Sequence, residues 1–343
     1  MPRNSSDWSA HLSNEAIVAE EPGYGDWRSL ELAIKDAAKK KAQQAGAGVS
    51  SATVDAQIRQ ARYDRFLSRV FADGEASEWL LKGGLSMLAR VARSRTTKDV
   101  DLAAQHAADL GEAERTLSAL VAVDLGDHLS FRLIRSMPTG LDDNQPGVET
   151  RRLVYACLDV DHDTQIDTVT VDIVVGPAPV GSPEVVDPAN RLHLRRPLVT
   201  RPYRLFPVAD QIADKVCATM STNYPGGKRS SRVKDLVDLV VLAHSQTVDL
   251  AELRFAIANK QAISGMEPFD HFDIPADWRR TYPATAKGVP SAQTYKADTA
   301  AALAASFVGP ALEKSSNTGT WDPQNLQWSA TASVPRAYPA DSE

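Results

Sequence analysis

From Trp27 onward, apolar residues recur at the three-to-four spacing of an amphipathic helix, with Leu30, Leu32, Ala33 and Ile34 preceding a lysine run. VDAQIRQARYDRFLSRVFA predicts a second helix, with Ile58, Ala61, Phe66 and Val70 as its packing stripe. EWLLKGG then reads as a short strand ending in glycines, LSMLARVA as a buried helix, VDLAA (100–104) as a strand and GEAERTLSALVAV as another helix. LSFRLIRS, RRLVYACLDVD and DTVTVDIVVG alternate and predict three strands. The turn-rich GPAPVGSPEVVDP closes this portion. Beyond it the pattern is helical: PVADQIADKVCATM and RVKDLVDLVVLAHS joined by NYPGGKRSS, then AELRFAIANKQA and TYKADTAAALAASFVGPAL. The tail is rich in Ser, Thr, Pro and Trp, a composition expected to be disordered in part.

The expected fold class is therefore α+β (mixed α/β): a small mixed β-sheet flanked by helices, plus a helical C-terminal portion. The expected units are an arm and helix (1–55), an α/β domain (56–185), a mainly helical domain (186–313) and the tail (314–343). Hydrophobic residues make up 43% of the 343, enough for a sizeable core. No apolar stretch approaches a membrane span and no signal peptide is evident, so no membrane partner is expected. Cys157 and Cys217 have no metal-like spacing, and a reducing cytoplasm is the expected compartment. The histidines show none either. The net charge of −6 argues against a general nucleic-acid coat. Yet from Arg191 to Asp235 ten Lys or Arg face three Asp, a local basic stretch that could meet phosphates or simply be solvated and ion-paired.

The candidate chemistry sits in the first half. Asp99 and Asp101 are two apart in an expected strand, so both carboxylates share a face. Neighbouring anions repel, and a hard divalent cation, Mg²⁺ or Mn²⁺, relieves that repulsion while keeping positions open for substrate phosphates. Asp172 is the best third carboxylate. Val169, Val171, Ile173 and Val175 take one face of its strand, leaving Asp172 on the other, where an isolated Asp is costly without a partner. Asp167, near the strand start, is a weaker candidate. Gly83-Gly84 lies between a strand and a helix, where backbone amides can approach a phosphate at a helix N-terminus. Each motif alone is weak, but fourteen residues separate Gly84 from Asp99, and together they are far more specific.

This layout, GG(x)14-DVD with a later strand Asp, resembles the DNA polymerase beta-type nucleotidyltransferase superfamily. More narrowly, LLKGGLSMLARVARSRTTKDVDLAA resembles the AbiEii toxin-like nucleotidyltransferases, which include the MenT-type mycobacterial toxins: KGG, then an Arg-x-Thr shortly before D-x-D. Arg95, Thr97, Asp99 and Asp101 match. Downstream, Lys215 in IADKVCATM matches the family's Lys motif, and Arg232, Lys234, Asp235 and Asp238 match its R-x-K-D-x-x-D helix. The resemblance covers roughly residues 78 to 310.

The resemblance implies an enzyme, a nucleotidyltransferase whose catalytic domain is 56–185 and whose substrate is an NTP. Asp99, Asp101 and Asp172 would hold metal, with Asp172 also assisting deprotonation. Lys82, Gly83, Gly84, Arg95 and Lys215 would hold the triphosphate, and Asp235 would orient Lys215. It further implies the toxin of a bacterial toxin–antitoxin pair, with a separate antitoxin and the tRNA 3′ end as acceptor. Two other readings stay open: an enzyme modifying a small molecule or a protein, and a non-catalytic NTP-binding module.

Overall fold

A computed structural model describes residues 23–44, 51–139, 149–222, 229–313 and 317–330. The polar arm (1–22), the middle of the glycine-rich loop (223–228) and the last part of the tail (331–343) lie outside the described residues. The elements run α1 (Trp27–Gln44), α2 (Ser51–Val70), β1 (Trp79–Lys82), α3 (Gly83–Arg90), β2 (Val100–Ala104), α4 (Leu110–Val121), β3 (Leu129–Thr139), β4 (Thr150–Asp159) and β5 (Thr164–Val175). They continue with β6 (Glu184–Val186), β7 (Tyr203–Leu205), α5 (Val208–Met220), α6 (Val233–Ser245), β8 (Val248–Asp249), α7 (Leu250–Ile263), α8 (Trp278–Ala286), α9 (Ala297–Leu312), β9 (Gly319–Asp322) and β10 (Gln327–Ala330).

Among the described residues, a mixed seven-stranded sheet has the order β3-β4-β5-β2-β1-β7-β6. Alternation assigns its two faces. Trp79, Leu81, Val100, Leu102, Val169, Val171 and Ile173 are fully buried and pack with Leu30 and Ile34 of α1, Phe66 and Leu67 of α2 and Leu117 of α4. The residues between them (Lys82, Asp101, Asp172) therefore point to the opposite face. There a second core of α5 to α9 assembles around Ile212, Val216, Leu239 and Phe307, and α3 adds Met87 to it. The candidate site lies between the two cores.

The mixed α/β class and its helix-flanked sheet are as expected, but three details differ. The sheet crosses the expected boundary at 185: β7 pairs parallel with β1 through Leu81 and Leu205, and β6 pairs with β7. Strands of three residues carry no readable alternation. α8 also escaped the periodicity because Pro283 sits inside it and argues for a break; Trp278 and Tyr282, one turn apart and buried, anchor it instead.

The third difference concerns the tail. Residues 317–330 form the β9–β10 hairpin, which pairs with β8. Trp321 is fully buried, its Nε1–H donates to Ala243 O at 2.7 Å, and its ring lies 4.7 Å from that of Phe307. One large aromatic side chain outweighs a polar composition. Among the described residues no helix is long and apolar enough to cross a membrane.

Candidate active site

β1 ends at Lys82, whose extended backbone leads into α3 at Gly83. Gly83 has φ +63°, a conformation that side chains rarely adopt. A Cβ there would stand 1.8 Å from Asp101 Oδ2, so the chain turns against the carboxylate only because the residue is glycine. Gly84 is confined too, though less severely, with a Cβ falling 2.9 Å from that of Thr97. Gln211 fixes the turn by donating from Nε2 to Gly83 O at 3.1 Å and to Ser86 Oγ at 2.7 Å. Gly83→Ala is accordingly expected to displace Asp101 and lower the rate of the nucleotidyl transfer that the resemblance implies by about 100-fold or more, the scale of an ångström-sized misplacement, with a circular dichroism spectrum unchanged. Initial rates of label transfer check this.

Asp101 pairs in register with Lys82 on one side and Asp172 on the other. Asp99 lies just before β2 and accepts a hydrogen bond from Thr97 Oγ1 at 2.7 Å. Asp172 accepts both hydrogen bonds of the Arg152 fork, each at 2.7 Å. Burial, with repulsion from Asp99 and Asp172, pushes the Asp101 carboxyl up to about 6, against the pull of Lys234 and Arg232. As they stand, among the described residues, no three acidic, His or Cys side chains converge as a ready metal cage. Asp172 is turned to Arg152 and Asp99 to Thr97. The donor set nonetheless fits a hard divalent cation: three carboxylates line one cleft, and the innermost is held above its ordinary range by burial and by the other two.

The opposite wall is cationic. Lys215, on α5, is buried and donates to Asp238 at 2.6 Å, with Asp235 Oδ1 at 3.6 Å. Arg95 forks onto the same Asp238 at 2.9 and 2.8 Å. Arg232 takes Asp235 at 2.5 Å. Burial alone would raise Asp235, but Arg232 and Lys215 override it and hold the carboxyl at about 2. Lys234 also lines the cleft, and burial, aided by Arg232, lowers its pKa. Lys82 is tied to Asp214 at 2.8 Å, as is Lys260, and sits 4.1 Å above the Phe206 ring.

The fold thus gathers Lys82, Gly83, Gly84, Arg95, Asp99, Asp101, Asp172, Lys215 and Asp235 around one cleft of about 930 Å³. Asp167 is not among them; it pairs with Arg62 elsewhere. One residue was missed, and one role expected of Asp235 falls mainly to its motif neighbour Asp238. Arg152 faces Asp172 through strand register twenty residues away, which no local pattern reveals. Asp238, rather than Asp235, takes the direct bond from Lys215; both fit the spacing, and the packing of α5 on α6 decides. The basic stretch is not one surface. Arg191 pairs with Asp64 at 2.9 Å, and Arg204 donates to Ser77 O and Gln105 at 2.7 Å. From that stretch, the cleft receives Lys215, Arg232 and Lys234 among the described residues.

One solved structure agrees with this architecture. MenT4, a nucleotidyltransferase toxin from Mycobacterium tuberculosis H37Rv, shares the fold with a TM-score of 0.52 at 13% identity, over 85% of this chain and 92% of that one. JHP933 from Helicobacter pylori aligns at 14% identity over 78% of this chain and 96% of its own, with a TM-score of 0.38. No curated protein matches the chain. The sequence profile of the nucleotidyl transferase AbiEii toxin family of type IV toxin–antitoxin systems matches residues 65–305, from the middle of α2 into α9 and so across the whole cleft, and the chain belongs to that family.

Proposed function

We propose that the protein transfers a nucleoside monophosphate from an NTP to the 3′ end of tRNA, acting with Mg²⁺ (or Mn²⁺) as a toxin countered by a separate antitoxin. The observation that carries this is the division of the cleft: three carboxylates on the sheet face oppose Arg95, Lys215, Arg232 and Lys234. A cation and a polyphosphate satisfy those two walls together, and neither does alone. Asp99, Asp101 and Asp172 would hold the cation, which when bound supplies charge stabilisation to the transferring phosphoryl group.

The chain's own residues do the rest. Gly83 and Gly84 bring backbone N–H groups at the start of α3 to the phosphates, and Lys82, Arg95 and Lys215 contribute positive charge. Asp235 and Asp238 keep Lys215 in place. The acceptor hydroxyl oxygen forms a bond to the α-phosphorus, the bond from that phosphorus to the β-bridging oxygen breaks, and pyrophosphate leaves. The hydroxyl proton passes to Asp172, for which Asp172 must exchange Arg152 for the site. The compartment we assign is the cytoplasm, where NTPs and tRNA are found.

Incubation with each labelled NTP, Mg²⁺ and total tRNA tests the reading. Label is expected on RNA with the wild type and not with Asp99→Ala. Label on protein, or on nothing, rejects the tRNA acceptor.

A further inference from the structure

We infer that a second cleft beside the catalytic one is a nucleobase-binding subsite, an inference that rests on the transferase reading for what the base is attached to. The cleft, of about 650 Å³, lies between the sheet and helices α5 and α7, and it shares Lys82, Phe206, Asp214 and Val174 with the catalytic cleft.

Strand register explains its character. Lys82 stands opposite Asp101, and Asp101 opposite Asp172. Two residues along the same strands, on the same face and about 7 Å away, Leu80 stands opposite Ala103 and Ala103 opposite Val174. One sheet face therefore changes from charged to apolar within a single side-chain repeat. That is the polarity of a nucleotide, with phosphates at one end and a flat apolar base at the other.

The walls fit a planar ring. Ala103, Ala213 and Ala256 are small and leave a slot, and the Phe206 ring stands on the boundary between the clefts. Lys82 and Lys260 both lie 2.8 Å from Asp214, whose single charge ties the two ammonium groups together where the clefts meet. Asn259 lines this cleft half-buried, and its side-chain amide makes no hydrogen bond among the described residues. An amide offers one donor edge and one acceptor, the complement of a base edge, and stacking plus edge hydrogen bonds is how unpaired bases are read.

The base could come from the NTP or from the acceptor's terminal nucleotide. Equilibrium binding separates these sources, using full-length wild type, Asn259→Ala and Ala103→Leu. The probes are α,β-non-hydrolysable analogues of the four NTPs, inorganic tripolyphosphate, and a short single-stranded RNA. Each variant is expected to weaken one nucleotide probe by about tenfold while leaving tripolyphosphate unchanged. Loss confined to the NTP analogues assigns the subsite to the NTP, and loss confined to the RNA assigns it to the acceptor. Unchanged binding of every nucleotide probe overturns the inference, as does an equal loss of tripolyphosphate. Because no turnover is measured, a protein that binds this way yet transfers nothing would refute the transferase reading and leave the subsite standing.

Discussion

Asp101→Asn is expected to abolish nucleotide transfer while making the metal-free protein more stable. The two effects have one origin. Asp101 is the innermost of three carboxylates, and burial with repulsion from Asp99 and Asp172 raises it to about 6. A group whose folded pKa lies above its unfolded value binds more protons in the native state. The resulting instability is absent well below the unfolded pKa, grows as pH rises from about 4 to about 6, and is fully present above that. Asn removes the charge and so the penalty, on the order of 1–2 kcal/mol once partial exposure is allowed for. The melting temperature of the variant should exceed that of the wild type at pH 7.5 in EDTA by a few degrees, and the gap should narrow at pH 5. Mg²⁺ should raise the wild-type melting temperature at pH 7.5, less at pH 5, and leave the variant unmoved. Transfer should fall by at least about 1,000-fold, the scale of losing several kcal/mol of charge stabilisation. A variant no more stable than wild type in EDTA at pH 7.5 would contradict the repulsion; one that still transfers at the wild-type rate would remove Asp101 from the site.

What could be read along the chain was what local geometry governs. A strand, a two-residue turn and a helix are contiguous, so the spacing of Gly83-Gly84 from Asp99 and Asp101 carried the turn and the carboxylate strand together. Alternation placed Asp172 on the face opposite Val171 and Ile173, and their complete burial agrees. Contacts set by register or by helix packing were beyond that reach. Arg152 meets Asp172 because β4 pairs with β5 in one of several possible alignments. Charge counting left two readings open for a related reason: a run of basic residues does not say which way each side chain turns, and Arg191 and Arg204 turn inside the fold to Asp64, Ser77 and Gln105. Composition hid the hairpin in the tail, since the polar residues around Trp321 and Trp328 masked the two rings that dock it on Phe307.

The network behind Lys215 separates stability from chemistry. Asp238 is fully buried and holds two cations, Lys215 at 2.6 Å and Arg95 through both of its oxygens. Asp238→Ala strands both charges between α5, α6 and the loop before β2, and removing one partner of a buried ion pair is strongly destabilising. A loss of about 3–5 kcal/mol is expected, seen as a lower midpoint of urea unfolding, with activity lost alongside. Lys215→Met should behave differently. It leaves Asp238 paired with Arg95 and Asp235 paired with Arg232, so no buried charge is abandoned and a stability change within about 2 kcal/mol is expected. Yet transfer should drop by about 100-fold or more, because the cation we propose faces the triphosphate is gone. The contrast is the informative result. If Lys215→Met unfolds as readily as Asp238→Ala, the lysine is chiefly a structural counter-ion. If Asp238→Ala matches the wild-type urea midpoint, the two cations have found other partners and the carboxylate does not organise this wall.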